Sequence, residues 1–231
     1  DNYYQAYLLP AAEWIGPTAD LNIDGDDTSA SNALPITIKI YDQTLAAGTN
    51  VSLCTNGYLN WDGAANCAYS NSLNTAVRRI APHWDDLRTD ASCAGVVNSA
   101  CGGDADIKRG NTASYVVYRW CACYYSATNQ RADFEAVFYA NGNIQFNWNT
   151  FTWGGRTPTD YISKGDSTNY LDVTTLEASS TSIRFIHSDN ATVVVNNLTA
   201  GQKVELYDSF DNFVTAATTP AGLTYVTLNI F

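Results

Sequence analysis

The first residues able to do chemistry lie in "DLNIDGDDTSAS", residues 20–31. Asp20, Asn22, Asp24 and Gly25 occupy the opening places of a calcium loop, D-x-[DN]-x-[DN]-G, where oxygen ligands alternate and glycine permits the sharp turn. A full loop needs a bidentate glutamate at its twelfth place, and here that place is Ser31. No helix signal flanks the run. It therefore reads as an acidic turn feeding a strand, with Asp20, Asn22, Asp24 and Asp26 as the ligands of a structural calcium if one binds. No other cofactor is expected.

The other constellations are sparse. The two histidines, His83 and His187, flank different elements, and no G-x-S-x-G, H-E-x-x-H or P-loop occurs. "PHWDD" places Asp85 and Asp86 beside His83, but one histidine with no second nearby makes a poor metal or general-base site. His83 reads as a polar variant at a half-buried position. Most aspartates stand beside Gly, Asn or Ser in turn-like stretches, as in Asp62-Gly63 and Gly165-Asp166, and Glu135 and Glu205 alternate outward on strands. No catalytic residue is assigned, and the chain is expected not to be an enzyme.

Six cysteines stand at Cys54, Cys67, Cys93, Cys101, Cys121 and Cys123. Their spacing does not suit zinc, and an even number in an exported chain reads as a disulfide framework. Cys54 and Cys67 flank a Gly/Asn-rich loop and make the best pair. Cys121 and Cys123 lie two apart on a strand and so face one side. Each can reach the 93–101 loop, or that loop can close on itself; spacing leaves this open.

The elements that carry these residues are almost all β. "PITIKIY" (35–41) alternates Ile36, Ile38 and Ile40 with polar residues, and "SYVVYRWCACYY" (114–125) and "SIRFI" (182–186) are further strands. "FEAVFYANGNIQFNW" (134–148) reads as a hairpin about Asn141-Gly142, whose type I′ turn wants two positive φ values. A composition change near residue 188 separates residues 1–187 from four short strand patterns in 188–231, a module small enough to be marginal alone. The expected class is all-β: an antiparallel β-sandwich over 1–187 and a small Ig-like β module over 188–231.

Composition narrows the partners. A formal charge of −11 with no basic cluster makes nucleic acid and anionic membrane poor partners. No apolar run of about 18 residues remains to span a membrane. The chain carries no Met and starts at Asp1, which fits a processed, exported protein. Sequons at Asn50, Asn190 and Asn197 offer glycan attachment. Six Trp and fifteen Tyr supply candidate sugar-stacking platforms; Trp148 continues the inward row of Ile144 and Phe146, whereas Trp153 lies near a Gly-rich loop.

The order of five elements is more specific than composition. "LPITIKIYDQ", "TNGYLNW" (55–61), "IAPHWDDL" (80–87), "YVVYRW" and "FEAVFYANGNIQFNW" resemble, in that order, the nidogen-like (NIDO-type) extracellular β-sandwich, over about residues 20–187. His83 departs from the aromatic residue usual at its place. Ile80 and Trp84 read as core anchors, Pro82 as a strand end or edge, and Asp85 and Asp86 as acceptors in the turn that follows. The resemblance implies a secreted or cell-surface module, since such modules serve adhesion, matrix and surface proteins alike.

Both ends are strand-like. Tyr3, Tyr4, Tyr7, Leu8 and Leu9 make a sticky N-terminal segment, and Val226, Leu228 and Ile230 alternate in "TYVTLNIF". The expectation is a head-to-tail homopolymer: residues 1–12, chiefly 2–9, form an arm that adds a strand to the incomplete C-terminal module of a neighbour. The overall expectation is a non-catalytic extracellular filament or matrix subunit. The alternative is a carbohydrate-binding or adhesion module.

Overall fold

The computed structural model describes residues 1–70, 72–93, 95, 101–188, 191–207 and 213–230. All described strand pairings are antiparallel. One sheet runs β1 (Tyr4–Leu8), β16 (Thr181–His187), β13 (Ile144–Phe151), β12 (Ala127–Tyr139), β11 (Tyr115–Tyr124), β10 (Asp106–Asn111), β2 (Ala19–Asp20), with β9 (Leu87–Arg88) also paired to β11. A second runs β15 (Tyr170–Asp172), β14 (Thr159–Lys164), β8 (Arg78–Trp84), β7 (Tyr58–Asn60), β6 (Asn50–Cys54), β3 (Ser29–Ala33). β4 (Ile38–Ile40) pairs with β5 (Gln43–Leu45). Toward the C-terminus, β17 (Ala191–Asn196) pairs with β20 (Tyr225–Ile230), and β18 (Lys203–Tyr207) with β19 (Phe213–Thr218).

Strand alternation fills the core. Tyr118, Trp120 and Tyr124 of β11, Phe134 and Phe138 of β12, and Ile144, Phe146 and Trp148 of β13 join one buried cluster with Val51, Leu53, Leu59 and Ile80 of the second sheet. Indole N–H groups stitch the sheets together. Trp120 Nε1 donates to the Cys54 carbonyl at 2.8 Å, and Trp148 Nε1 to the Pro82 carbonyl at 2.7 Å. A buried indole needs such an acceptor, so each ring brings cohesion and register at once.

Three expectations change at the level of local geometry. At the 139–143 turn only Gly142 has positive φ, 93°. Gly142 N–H donates to the Tyr139 carbonyl, and Tyr139 N–H to the Asn143 carbonyl. This is a type I turn closed by a glycine bulge, the three-residue hairpin solution, rather than type I′. Pro82 lies inside β8, not at an end. The β8–β14 register jumps from Trp84↔Thr159 to Ala81↔Tyr161, so Pro82 and His83 face Asp160 alone. A bulge accommodates the missing proline N–H.

The third change concerns the N-terminus. Residues 4–8 do not stand free as an arm: β1 fills the edge beside β16 of its own sheet, with Tyr4 opposite His187 and Leu8 opposite Ile183. Tyr4 is buried; its hydroxyl donates to the Gly142 carbonyl and accepts from Tyr41 N–H. Tyr3 packs edge-on to Tyr41, Leu9 N–H donates to the Ser182 carbonyl, and Tyr7 donates to Gln5. Of Tyr3, Tyr4, Tyr7, Leu8 and Leu9 only Leu8 is strongly exposed, at 58%. An edge within reach of its own chain is filled without the loss of translational freedom that an intermolecular strand suffers.

Residues 9–18 then cross the outer face of the same sheet. Glu135, expected to point to solvent, is fully buried there. Its carboxylate accepts Ile15 N–H at 2.8 Å, Gly16 N–H at 2.9 Å and Asn147 Nδ2 at 2.7 Å. Arg184 pairs with Glu13, and Arg119 lies over the Trp14 ring and donates to the Pro17 carbonyl. Replacing Glu135 by Ala removes the acceptor of two backbone N–H groups and is expected to cost about 2–4 kcal/mol. Chemical denaturation measures it, and proteolysis should then cut within residues 9–18 before the sheets. A loss below about 0.5 kcal/mol, within the range of ordinary surface changes, contradicts this role.

Candidate functional site

The chemistry gathers at the β8 bulge. His83 is fully buried on β8, and its Nδ1 lies 2.6 Å from Glu177 Oε1, just past the 3-10 turn Thr174–Leu176. Its Nε2 is 3.3 Å from the Tyr124 hydroxyl. The imidazole stacks on Phe151 at 4.5 Å between centroids and touches Phe134 at 5.0 Å. The other oxygen of Glu177 is 3.5 Å from Arg156 Nη2, whose guanidinium sits over the Phe151 ring.

Asp160, on β14 opposite the bulge, is buried as well, and among the described residues neither of its carboxyl oxygens has a hydrogen-bond partner. Burial first, then the negative charge of Glu177, pushes its carboxyl well above the usual carboxylate range; Arg156 pulls it back in part. One ligand atom each from His83, Asp160 and Glu177 all lie within 4.8 Å of one another. The set can share a proton or hold a cation. Its burial keeps it away from a substrate in solvent.

The backbone beneath is rigid for a specific reason. Gly57 of "TNGYL" has φ +83°, and a Cβ there would meet the His83 carbonyl oxygen at 1.8 Å. Asn56 donates to Asp27 and to the Cys67 carbonyl and accepts Leu87 N–H, and its own carbonyl accepts Asp85 N–H. Two of the five motifs that carry the resemblance, "TNGYLNW" and "IAPHWDDL", are thus one interlocked unit. Asp85 caps it, accepting Asp86 N–H and Thr157 N–H.

The acidic run is engaged with several neighbours. Asp20 pairs with Lys108, Asn22 N–H donates to Asp106, and the backbone of Asp26 meets that of Arg88 in an isolated antiparallel β-bridge. Burial and the carboxylates of Asp106, Asp104, Asp20 and Asp90 raise the Asp24 carboxyl. Among the described residues two groups of ligand side chains converge, and neither contains Asp20, Asp24 or Asp26. The second, Cys101, Cys121 and Asp133, uses its sulfurs in a disulfide.

Disulfides join Cys54 to Cys67, Cys93 to Cys123 and Cys101 to Cys121. The loop before β10 is thus tied to the outer face of β11 and does not close on itself. Asn50 and Asn197 are exposed, whereas Asn190 lies outside the described residues. Leu228 is buried; the side chains of Val226 and Ile230 lie outside the described set.

Sequence reasoning read His83 as a polar variant at a half-buried position; the structure buries it fully and gives it partners the sequence did not suggest. Asp160 and Glu177 follow it by a long stretch of chain, and the bulge that aligns Asp160 leaves no period in the sequence. The only available signal was Pro82 inside an otherwise regular strand.

Asp86 offers a pH test. Burial, then Asp26, Asp27 and Asp85, raise its carboxyl to about 6 against an ordinary 3.8. The folded state therefore binds more protons between these values, and this contribution to stability falls as pH rises through that window. Asp86→Asn is expected to raise the melting temperature at neutral pH and to lose the gain as pH falls to the ordinary carboxylate value. An identical shift at both pH values in a thermal scan would contradict the assignment.

The described residues hold no helix long and apolar enough to cross a membrane. No curated protein and no solved structure matches the chain. A family model described as NIDO related matches residues 12–208, a wider span than the motifs alone, taking in the segment that crosses Glu135 and, beyond residue 187, β17 and β18. The family is one of non-enzymatic modules, and the three disulfides are consistent with an extracellular location. With the motif order, the paired antiparallel sheets and this match in agreement, the chain belongs to the NIDO-related family.

Proposed function

We propose that the chain is a non-catalytic extracellular structural protein, a subunit of a surface filament or matrix that joins copies of itself by β-strand addition. The supporting observation is the pairing of the C-terminal strands two by two, β17 with β20 and β18 with β19. Two-stranded sheets are marginal in water, and each such strand keeps one edge unpaired among the described residues. With β1 held in its own sheet, the strands of residues 191–230 take over the assembly role expected of the N-terminal arm. On β18, half-buried Val204 and Leu206 alternate with exposed Lys203, Glu205 and Tyr207, a pattern that an added layer would complete.

The carbohydrate-binding alternative draws less support. Trp61, Trp84, Trp120 and Trp148 are buried, and Trp153 packs edge-on to Tyr124 at 4.9 Å. Asn50 and Asn197 are placed where glycans attached to this protein would meet solvent.

Light scattering and negative-stain microscopy of the full chain test the proposal. Wild-type protein is expected as filaments or large oligomers. The double variant Val204→Lys, Leu206→Lys is expected to be monomeric with the main thermal transition in place. A wild-type chain that stays monomeric across concentration sinks the assembly reading.

A further inference from the structure

We propose that His83, Asp160 and Glu177 form a buried site for one divalent transition-metal ion of the zinc type, which fastens the 165–177 segment to the β8–β14 pair. Three independent observations meet there. The ligand atoms converge within 4.8 Å from three separate elements. Asp160 is a buried carboxylate with no donor on either oxygen among the described residues, although His83 and Glu177 face it. The two strands that carry His83 and Asp160 lose register at this point, which aims both side chains at one spot.

The surroundings match an outer coordination shell. With Nδ1 turned to the ion, Nε2–H is directed to the Tyr124 hydroxyl, which fixes tautomer and ring orientation. Arg156 holds the free oxygen of Glu177. Phe134 and Phe151 wall the imidazole. One imidazole and two carboxylates suit zinc, whereas calcium takes six to eight oxygens and no nitrogen. Two negative charges balance a dication, so binding releases the proton between Nδ1 and Oε1 and the proton held on Asp160 to solvent.

The site is separate from the acidic run 20–27 and does not depend on how the chain assembles. The test is metal analysis of the full chain by plasma mass spectrometry after dialysis against zinc and desalting. The expected result is one zinc per chain, removed by a strong chelator with a fall in melting temperature. Asp160→Asn and His83→Gln are expected to lose at least about ten-fold in zinc affinity, or 1.4 kcal/mol. Asp160→Asn keeps the shape, and circular dichroism confirms its fold. Cobalt loading of the wild type gives a second readout that needs no variant: visible d–d absorption displaced by zinc. The proposal is overturned if the wild type retains no zinc, if folded Asp160→Asn binds zinc as the wild type does, or if cobalt gives no zinc-displaceable absorption.

Discussion

The contact on which the rest depends is the carboxylate of Glu135 held by the N–H groups of Ile15 and Gly16. A sheet face carrying Arg119, Arg131, Asp133, Glu135, Asn147 and Arg184 cannot be buried cheaply unless each charge finds a partner. The strap over residues 9–18 provides acceptors, donors and an indole face to that ribbon. Asp133 is satisfied from within the sheet by Arg119, Arg131 and Asn149. This arrangement makes the N-terminus part of the sandwich. It also places β1 beside β16, where Tyr4 reaches the 139–143 turn and Tyr41.

The opposite sheet is organised by a second constraint, the close approach of Gly57 to the His83 carbonyl. Asn56 and Gly57 lock the turn between β6 and β7 against the end of β8. The Cys54–Cys67 bridge and the Trp120 bond to the Cys54 carbonyl tie the same turn to its loop and to the facing sheet. Held from several sides, β8 can tolerate Pro82 in its interior and a register jump. The jump brings a buried histidine and two buried carboxyls together in a family of non-enzymatic modules.

The sequence made the inner faces legible because they obey a period of two: Ile144, Phe146 and Trp148 point inward as their alternation requires. It made Cys54–Cys67 legible because the pair flanks a short loop. It misled on Glu135, since the same alternation that sends it away from the core says nothing about what covers the outer face. The covering segment is distant in sequence and works through backbone N–H groups, which carry no residue signature. The Asp160–Glu177 pair was hidden for a similar reason, because a bulge breaks the period that would have placed Asp160. The N-terminal strand pattern was correctly read as a strand, but an unpaired strand pattern does not say whose edge it fills.

The central claim is that residues 4–16 complete their own sandwich. Hydrogen exchange followed by mass spectrometry on dilute, monomeric protein tests it directly. The account predicts slow exchange across Tyr4–Leu8 and at Ile15 and Gly16, comparable to the central strands and independent of protein concentration. Rapid exchange of these amides in the monomer, with protection appearing only on assembly, would contradict it.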